Sequence, residues 1–413
     1  MKFLMNTKQV GSTLLGISLL MVGACSDSTS TPTEVVDGDF QAVISAVSSD
    51  FGSSEISISN TVTLDDADTV DIDESLESYD IVNGYAAQDL SDITVATYGK
   101  NFYRLGRSSQ NNITKYSFED PSDFEWQFSV NSGGETGANP QDILFVSETK
   151  AYVLRYGSPS ILIINPSVEF NDEESFQIGE IDLSAYDADG VPNMRAGVIN
   201  DGKLYVVLQA LDSSFVPGLA YLAVIDTTTD EELTVGSSVL KGLPLNIRNP
   251  IDLDLFGNSL YVSGIGRYGD SFAAPPRDPE FTGGIEKINI KTFSTQLLVD
   301  DGNSTTHPFG QVNGLAVVSE TLGYFRGYAA WQSESLYQFN PSTGDVVSEP
   351  VTDFAGLDIR SISVSPEKEL WVGVGDFVNP EIRVINPEDN SLSQTIYTDK
   401  IPSEIVFSGD LSE

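Results

Sequence analysis

Along this chain an apolar strand that ends in Asn or Asp and runs straight into a turn returns about every fifty residues. It reads Ile163-Ile164-Asn165-Pro166, Val224-Ile225-Asp226-Thr227, Ile288-Asn289-Ile290, Gln338-Phe339-Asn340-Pro341 and Val384-Ile385-Asn386-Pro387, with a weaker copy at Ile58-Ser59-Asn60-Thr61. A fixed period of this length built from short strands predicts a β-propeller. One such unit cannot bury both of its faces alone, so units must stack on one another. The terminal Asn or Asp can cap its own turn, and a following Pro presets φ.

Each repeat has the same order: an inner strand, a short turn, a second strand rich in Tyr, Val and Leu, the strand that ends in Asn or Asp, and a polar outer strand. The second strands are predicted at Asn101–Leu105, Lys150–Leu154, Lys203–Leu208, Ser259–Gly264, Leu322–Gly327 and Glu369–Val374. Each carries an aromatic: Tyr103, Tyr152, Tyr205, Tyr261, Tyr324 or Trp371. Hairpin signals precede them at Gly99-Lys100, Asn200-Asp201-Gly202 and Gly257-Asn258. Six complete blades fall between about residues 90 and 398. The remaining pieces are Pro402–Phe407, read as a lone inner strand, and Ala42–Ser48 with Glu55–Ser59, read as second and third strands. Together they predict a composite blade closed by N- and C-terminal strands, which removes exposed sheet edges. The expected fold is all-β: a seven-bladed β-propeller with four-stranded blades. An eighth blade would need room in the insert at 265–312.

Residues 1–24 read as a secretory leader, with Lys2 and Lys8 ahead of a short apolar stretch, Val10 to Val22. It closes on Val22-Gly23-Ala24-Cys25, which resembles a bacterial lipobox. The resemblance implies acylation of Cys25, the chain's single cysteine, and attachment to the membrane through that anchor. An ordinary secreted protein with an unmodified Cys is the alternative. Ser26, rather than Asp, follows the Cys, which favours the bacterial outer membrane and leaves open which side the protein faces. Residues 25–39 read as the lipidated Cys and a flexible tether, and 40–413 as the propeller. Without the leader the formal charge falls from −40 to −42. Such a charge argues against nucleic acid or an anionic bilayer surface as partner.

The repeat resembles that of the YVTN/YncE-like seven-bladed propellers, with Leu222-Ala223-Val224-Ile225-Asp226-Thr227-Thr228-Thr229 as its nearest copy. The resemblance covers most of the mature chain and is specific for architecture. It implies ligand capture at the cell surface beside an outer-membrane transporter. A scaffold docking another envelope protein through the acidic rim is the competing expectation.

Residues just after second strands and just before inner strands should converge on the channel mouth. Those places hold seven of the ten arginines: Arg107, Arg155, Arg267 and Arg326, and Arg195, Arg248 and Arg360. Tyr156, Tyr268, Tyr328 and Trp331 accompany them, with Phe51 from the composite blade. Arg offers a planar fork to carboxylate or phosphate and stacks on rings. The expected ligand is an anionic small molecule of siderophore, tetrapyrrole or acidic-sugar type. The plainer alternative pairs these arginines with loop carboxylates such as Asp50, Asp212, Asp270 and Asp376.

Catalysis finds little support in the sequence. With one histidine, His307, in the loop Thr305-Thr306-His307-Pro308-Phe309, no Ser-His-Asp triad is expected, and the chain is read as a binding protein without catalytic machinery. His307 is expected near the mouth, where it could ligate a metal or donate to an anion. Asn313-Gly314-Leu315-Ala316 resembles the Asn-Gly segment of metal-dependent lactonase propellers, and Asp142 and Asp252 could supply the acidic pair those enzymes use. Calcium is a possible cofactor at Asp187-Ala188-Asp189-Gly190, through Asp187 and Asp189, or along the acidic run 65–74, since both carry part of the oxygen spacing it needs.

Overall fold

A computed structural model describes residues 40–63, 77–236, 239–270 and 275–409. These form seven sheets, one per blade, and the fold is a seven-bladed β-propeller. Blades 1 to 6 occupy 93–129, 140–182, 194–244, 250–300, 311–339 and 359–397. Blade 7 is composite: the C-terminal strand Ile401–Phe407 lies innermost, followed by Ala42–Val47, Ser54–Thr63 and Glu77–Gln88. The closing pair is antiparallel, with Val43 opposite Val406 and Val47 opposite Ile401. The leader, Cys25, the tether, the acidic run 65–74 and part of the loop at 273–276 lie outside the described residues.

Second strands lie within one or a few residues of their predicted bounds: Asn101–Gly106, Lys150–Arg155, Lys203–Leu208, Ser259–Gly264, Gly323–Ala330 and Leu370–Val374. They are almost wholly buried because each blade is covered on both faces. Alternation sends Tyr152 and Leu154 toward blade 3, while Ala151 and Val153 face blade 1. The same sorting recurs around the ring, giving seven apolar clusters, one at each interface between successive blades. Asp201 and Gly202 both have positive φ, as the tight hairpin of blade 3 requires.

The repeated turn acts as a rivet. Its Asn or Asp accepts backbone N–H groups of the turn: Asn165 from Ser167, Asp226 from Thr228, Asn289 from Lys291, Asn340 from Ser342 and Asn386 from Glu388. The carbonyl of the next residue is then held by the preceding blade. Tyr152 Oη donates to Thr227 O at 3.4 Å, Tyr261 Oη to Pro341 O at 3.3 Å and Tyr324 Oη to Pro387 O at 3.5 Å. In blade 1 the indole of Trp126 donates to Pro166 O at 3.2 Å. Tyr152, Tyr261 and Tyr324, with Trp126, thus clamp neighbouring blades on the face opposite the mouth.

Blade 5 departs from the expected four strands. Its sheet holds three, and the outer segment joins it irregularly, through the bridges Phe339–Val346 and Glu334–Leu357 and scattered backbone bonds such as Val347 N to Gln338 O and Leu336 N to Phe354 O. Pro350 lies in that segment and cannot donate to a ladder.

Candidate functional site

The starts of inner strands and the ends of second strands meet around the channel mouth. There Arg107, Arg195, Arg267 and Arg277 line a cavity of about 550 Å³ together with Tyr156 and Tyr268. Arg326 and Arg360 line a second cavity, of about 390 Å³, with Tyr328 and Trp331. Tyr268 forms part of both walls, and its ring meets Tyr328 edge-on at 4.9 Å. A third space of about 650 Å³ runs down the channel and includes Arg195, Arg326 and Arg360.

Most of these guanidiniums are tethered without being saturated. Arg360 donates to Asp358 at 2.7 Å, and Arg326 to Glu334 at 3.2 Å and Ile359 O at 2.8 Å. Arg267 pairs with Glu280, and Arg277 with Asp270 at 3.0 Å. Among the described residues the Nε atoms of Arg107, Arg267, Arg326 and Arg360 are buried without a hydrogen-bond acceptor. For Arg107 that atom lies 3.1 Å from Asp92, a charge contact without hydrogen-bond alignment. Arg195 differs from the others. It donates to Gln141 Oε1 at 2.6 Å, and among the described residues no carboxylate forms an ion pair with it. Burial, and then the Arg195 charge, pull Arg107 below the ordinary guanidinium value.

Two of the seven predicted arginines stand elsewhere. Arg155 is fully buried. It ion-pairs with Glu135 at 3.0 Å and Glu180 at 2.6 Å and donates to the carbonyls of Val130 and Ser160. The chain reverses at once after the second strand and folds the guanidinium back onto the outer strand. Arg155 therefore ties blade 2 to the end of blade 1, and it does not join the mouth. Arg248 is half-buried, its backbone N–H bonded to Thr282 O, and its side chain is not part of these cavity walls.

Below the mouth an acidic belt lines the channel. Asp142 accepts from Gly197 N at 3.4 Å, Asp252 from Leu315 N at 3.1 Å and Asp254 from Val317 N at 2.7 Å. Each bond joins one inner strand to that of the next blade. Burial, reinforced by Glu404, pushes Asp142 up to about 7. Burial raises Asp254 to about 6, and it raises Asp252 as well. The Asn313 side chain donates to Glu334 at 2.7 Å and accepts from Tyr268 at 3.4 Å.

His307 stacks on Phe281 at 4.3 Å, and its Nδ1 lies 2.9 Å from Asn303 O. A carbonyl only accepts, so Nδ1 carries the proton. The ring lines a separate cavity of about 530 Å³ whose wall includes Tyr328. Asp187 and Asp189 cap their own turn, accepting from Asp189 N at 3.1 Å and Val191 N at 2.9 Å. Among the described residues no group of three or more His, Cys, Asp or Glu side chains is placed to hold a metal ion. Of the loop carboxylates, Asp50, Asp212 and Asp376 accept backbone N–H groups of their own turns. Asp270 pairs with Arg277.

Sequence reasoning missed Gln141, Phe215 and Arg277. Phe215 is 69% exposed in the loop after the second strand of blade 3, where it lines the larger mouth cavity. A bulky apolar residue between Ser214 and Val216 in a long loop between strands was the available signal.

No known protein-family profile matches the chain, and no curated protein matches it in sequence. Among solved structures it is similar to a candidate 6-phosphogluconolactonase from Bacteroides uniformis, with a TM-score of 0.58 and 11% identity over 90% of this chain and 100% of that one. A second candidate 6-phosphogluconolactonase, from Bacteroides fragilis, gives 0.57 and 12% over 90% and 98%. A protein from Lactobacillus plantarum gives 0.55 and 10% over 89% and 99%. At such identities the likeness establishes the fold alone.

Proposed function

We propose that this propeller binds an anionic small molecule at its arginine-lined mouth. We also propose that it does so as a lipid-anchored protein of the bacterial outer membrane, serving uptake beside a transporter. The anchor rests on the lipobox-like Val22-Gly23-Ala24-Cys25. The observation that carries the binding reading is Arg195: a channel-facing guanidinium that forms no ion pair with a carboxylate among the described residues, beside Arg107, in a chain of net charge −40. Like charges held together in a partly desolvated cavity are costly until an anion arrives. Cavities of about 390 and 550 Å³ suit a small molecule.

The test is a thermal-shift and calorimetry screen of inorganic phosphate, citrate and acidic sugars. A ligand that binds only the native state raises Tm. Arg195→Glu should weaken any hit by about a hundredfold, roughly 2.7 kcal/mol. Co-purification of a membrane protein, with no small-molecule shift, would move the reading to an envelope scaffold.

A hydrolytic reading rests on one observation: a carboxyl raised to about 7 at Asp142, in the channel below Arg195. Turnover of a lactone that is lost with chelator or with Asp142→Asn would favour it.

A further inference from the structure

We infer that the mouth takes a planar polyanion, a ring compound carrying at least two separated negative groups. The inference rests on the binding reading above and specifies its ligand class. Five loops, each joining a second strand to a third, bring partly exposed rings to this face: Phe51, Phe215, Tyr268, Trp331 and Phe377 are between 41% and 69% exposed. They come from five different blades, so no single packing defect explains them.

Three observations make this a recognition surface. The first is order. The Arg360 guanidinium lies 4.8 Å from the Trp331 ring and 5.7 Å from Phe51, and is itself held by Asp358. Phe51 in turn lies 6.4 Å from both Trp331 and Phe377. The exposed indole is therefore a positioned platform and not a loose side chain.

The second is backbone strain. Phe51 and Phe215 have φ of 55° and 57°, a region that bulky L-residues avoid. Neither ring is needed to close its turn. Ser48 and Asp50 accept the N–H groups of Ser53 and Gly52 around Phe51, while Asp212 accepts those of Ser214 and Val216 around Phe215. Gly or Asn would serve both turns at lower cost. Strain kept where the turn does not need it points to the ring itself.

The third is charge spacing. Arg107, Arg195 and Arg267 lie in one mouth cavity, Arg326 and Arg360 in the other, with Tyr268 in the wall of both. A ring spanning Tyr268 and stacking toward Trp331 would place its negative groups in both cavities. A compact anion would engage one of them.

The experiment is calorimetry on the full chain with pyrenetetrasulfonate, citrate and a pyrene bearing ammonium groups. The wild type should bind pyrenetetrasulfonate at least about tenfold more tightly than citrate and the cationic pyrene not measurably. Trp331→Ala should shrink that preference to below about threefold, and Trp331→Phe should restore part of it. Trp331 is 62% exposed, so its loss leaves the core intact. Arg195→Glu should weaken both anions. Equal binding of citrate and pyrenetetrasulfonate, an unchanged preference in Trp331→Ala, or tight binding of the cationic pyrene would overturn the planar class while leaving the anion reading standing. Binding of neither anion would overturn both.

Discussion

The two faces of this propeller are built by opposite rules. On the rivet face one device recurs at four junctions: an Asn or Asp turn whose following carbonyl is held by an aromatic of the preceding blade. On the mouth face every blade supplies something different: Arg107, Tyr156, Phe215, Tyr268, Trp331, Phe377 and Phe51 all come from equivalent loops. The rivet repeats because the geometry between successive blades repeats. The mouth does not, because its loops are free of that constraint. Stability is thus distributed around one rim, and recognition is concentrated at the other.

Arg155 and Arg195 offer the sharpest way to break this contrast. Both lie at blade positions that topology sends toward the mouth, yet one is buried with two carboxylates and the other forms no ion pair among the described residues. Arg155→Leu should destabilise the fold by about 3 kcal/mol, because it strips Glu135 and Glu180 of their partner and orphans two carbonyls. Arg195→Ala should change stability by less than about 0.5 kcal/mol. Urea unfolding of the two variants measures both. Equal losses would erase the distinction.

A smaller effect is expected at the rivets. Tyr324→Phe removes a hydroxyl whose one proton is shared between Asn390 Oδ1 at 2.8 Å and Pro387 O at 3.5 Å. The expected cost is about 1 kcal/mol, with no change in ligand affinity. A change in affinity would show that the rivet and mouth faces are coupled.

A pH dependence is expected from the acidic belt. Asp142 and Asp254 hold a proton more tightly folded than unfolded, since their folded values are raised to about 7 and about 6. Their contribution is therefore full below the unfolded value of about 3.9 and is lost as pH rises through about 6 and then 7. Stability should increase as pH falls from 8 to 5. Asp142→Asn should flatten that slope, because an amide keeps the acceptor for Gly197 N without the charge. A slope unchanged in Asp142→Asn would place its origin in other carboxylates.

Much of the fold was legible before any coordinates. The strand that ends in Asn or Asp marked the third strand of the blade, the aromatic marked the second, and the leftover pieces at 42–59 and 402–407 marked the composite blade. These features are local or periodic, and the interfaces between blades enforce them at every turn. The blade 5 outer segment escaped because Pro350 and its neighbours interrupt a ladder that the period alone implies.

The mouth was legible only in part. Position in the repeat placed Arg107, Arg195, Arg267, Arg326 and Arg360 correctly, because blade topology sends those positions to the channel. It also sent Arg155 and Arg248 there, and only the tertiary structure showed otherwise. Whether a guanidinium faces water or turns back beneath its blade depends on distant carboxylates, Glu135 and Glu180 in this case. The same holds for Asp142 and Asp252, whose backbone partners lie in the next blade. Sequence by itself determined the architecture, because every blade must satisfy the same two neighbours. Only the tertiary structure decided which charges are spent on holding the blades together and which are left facing the channel, because that depends on groups far apart in the chain.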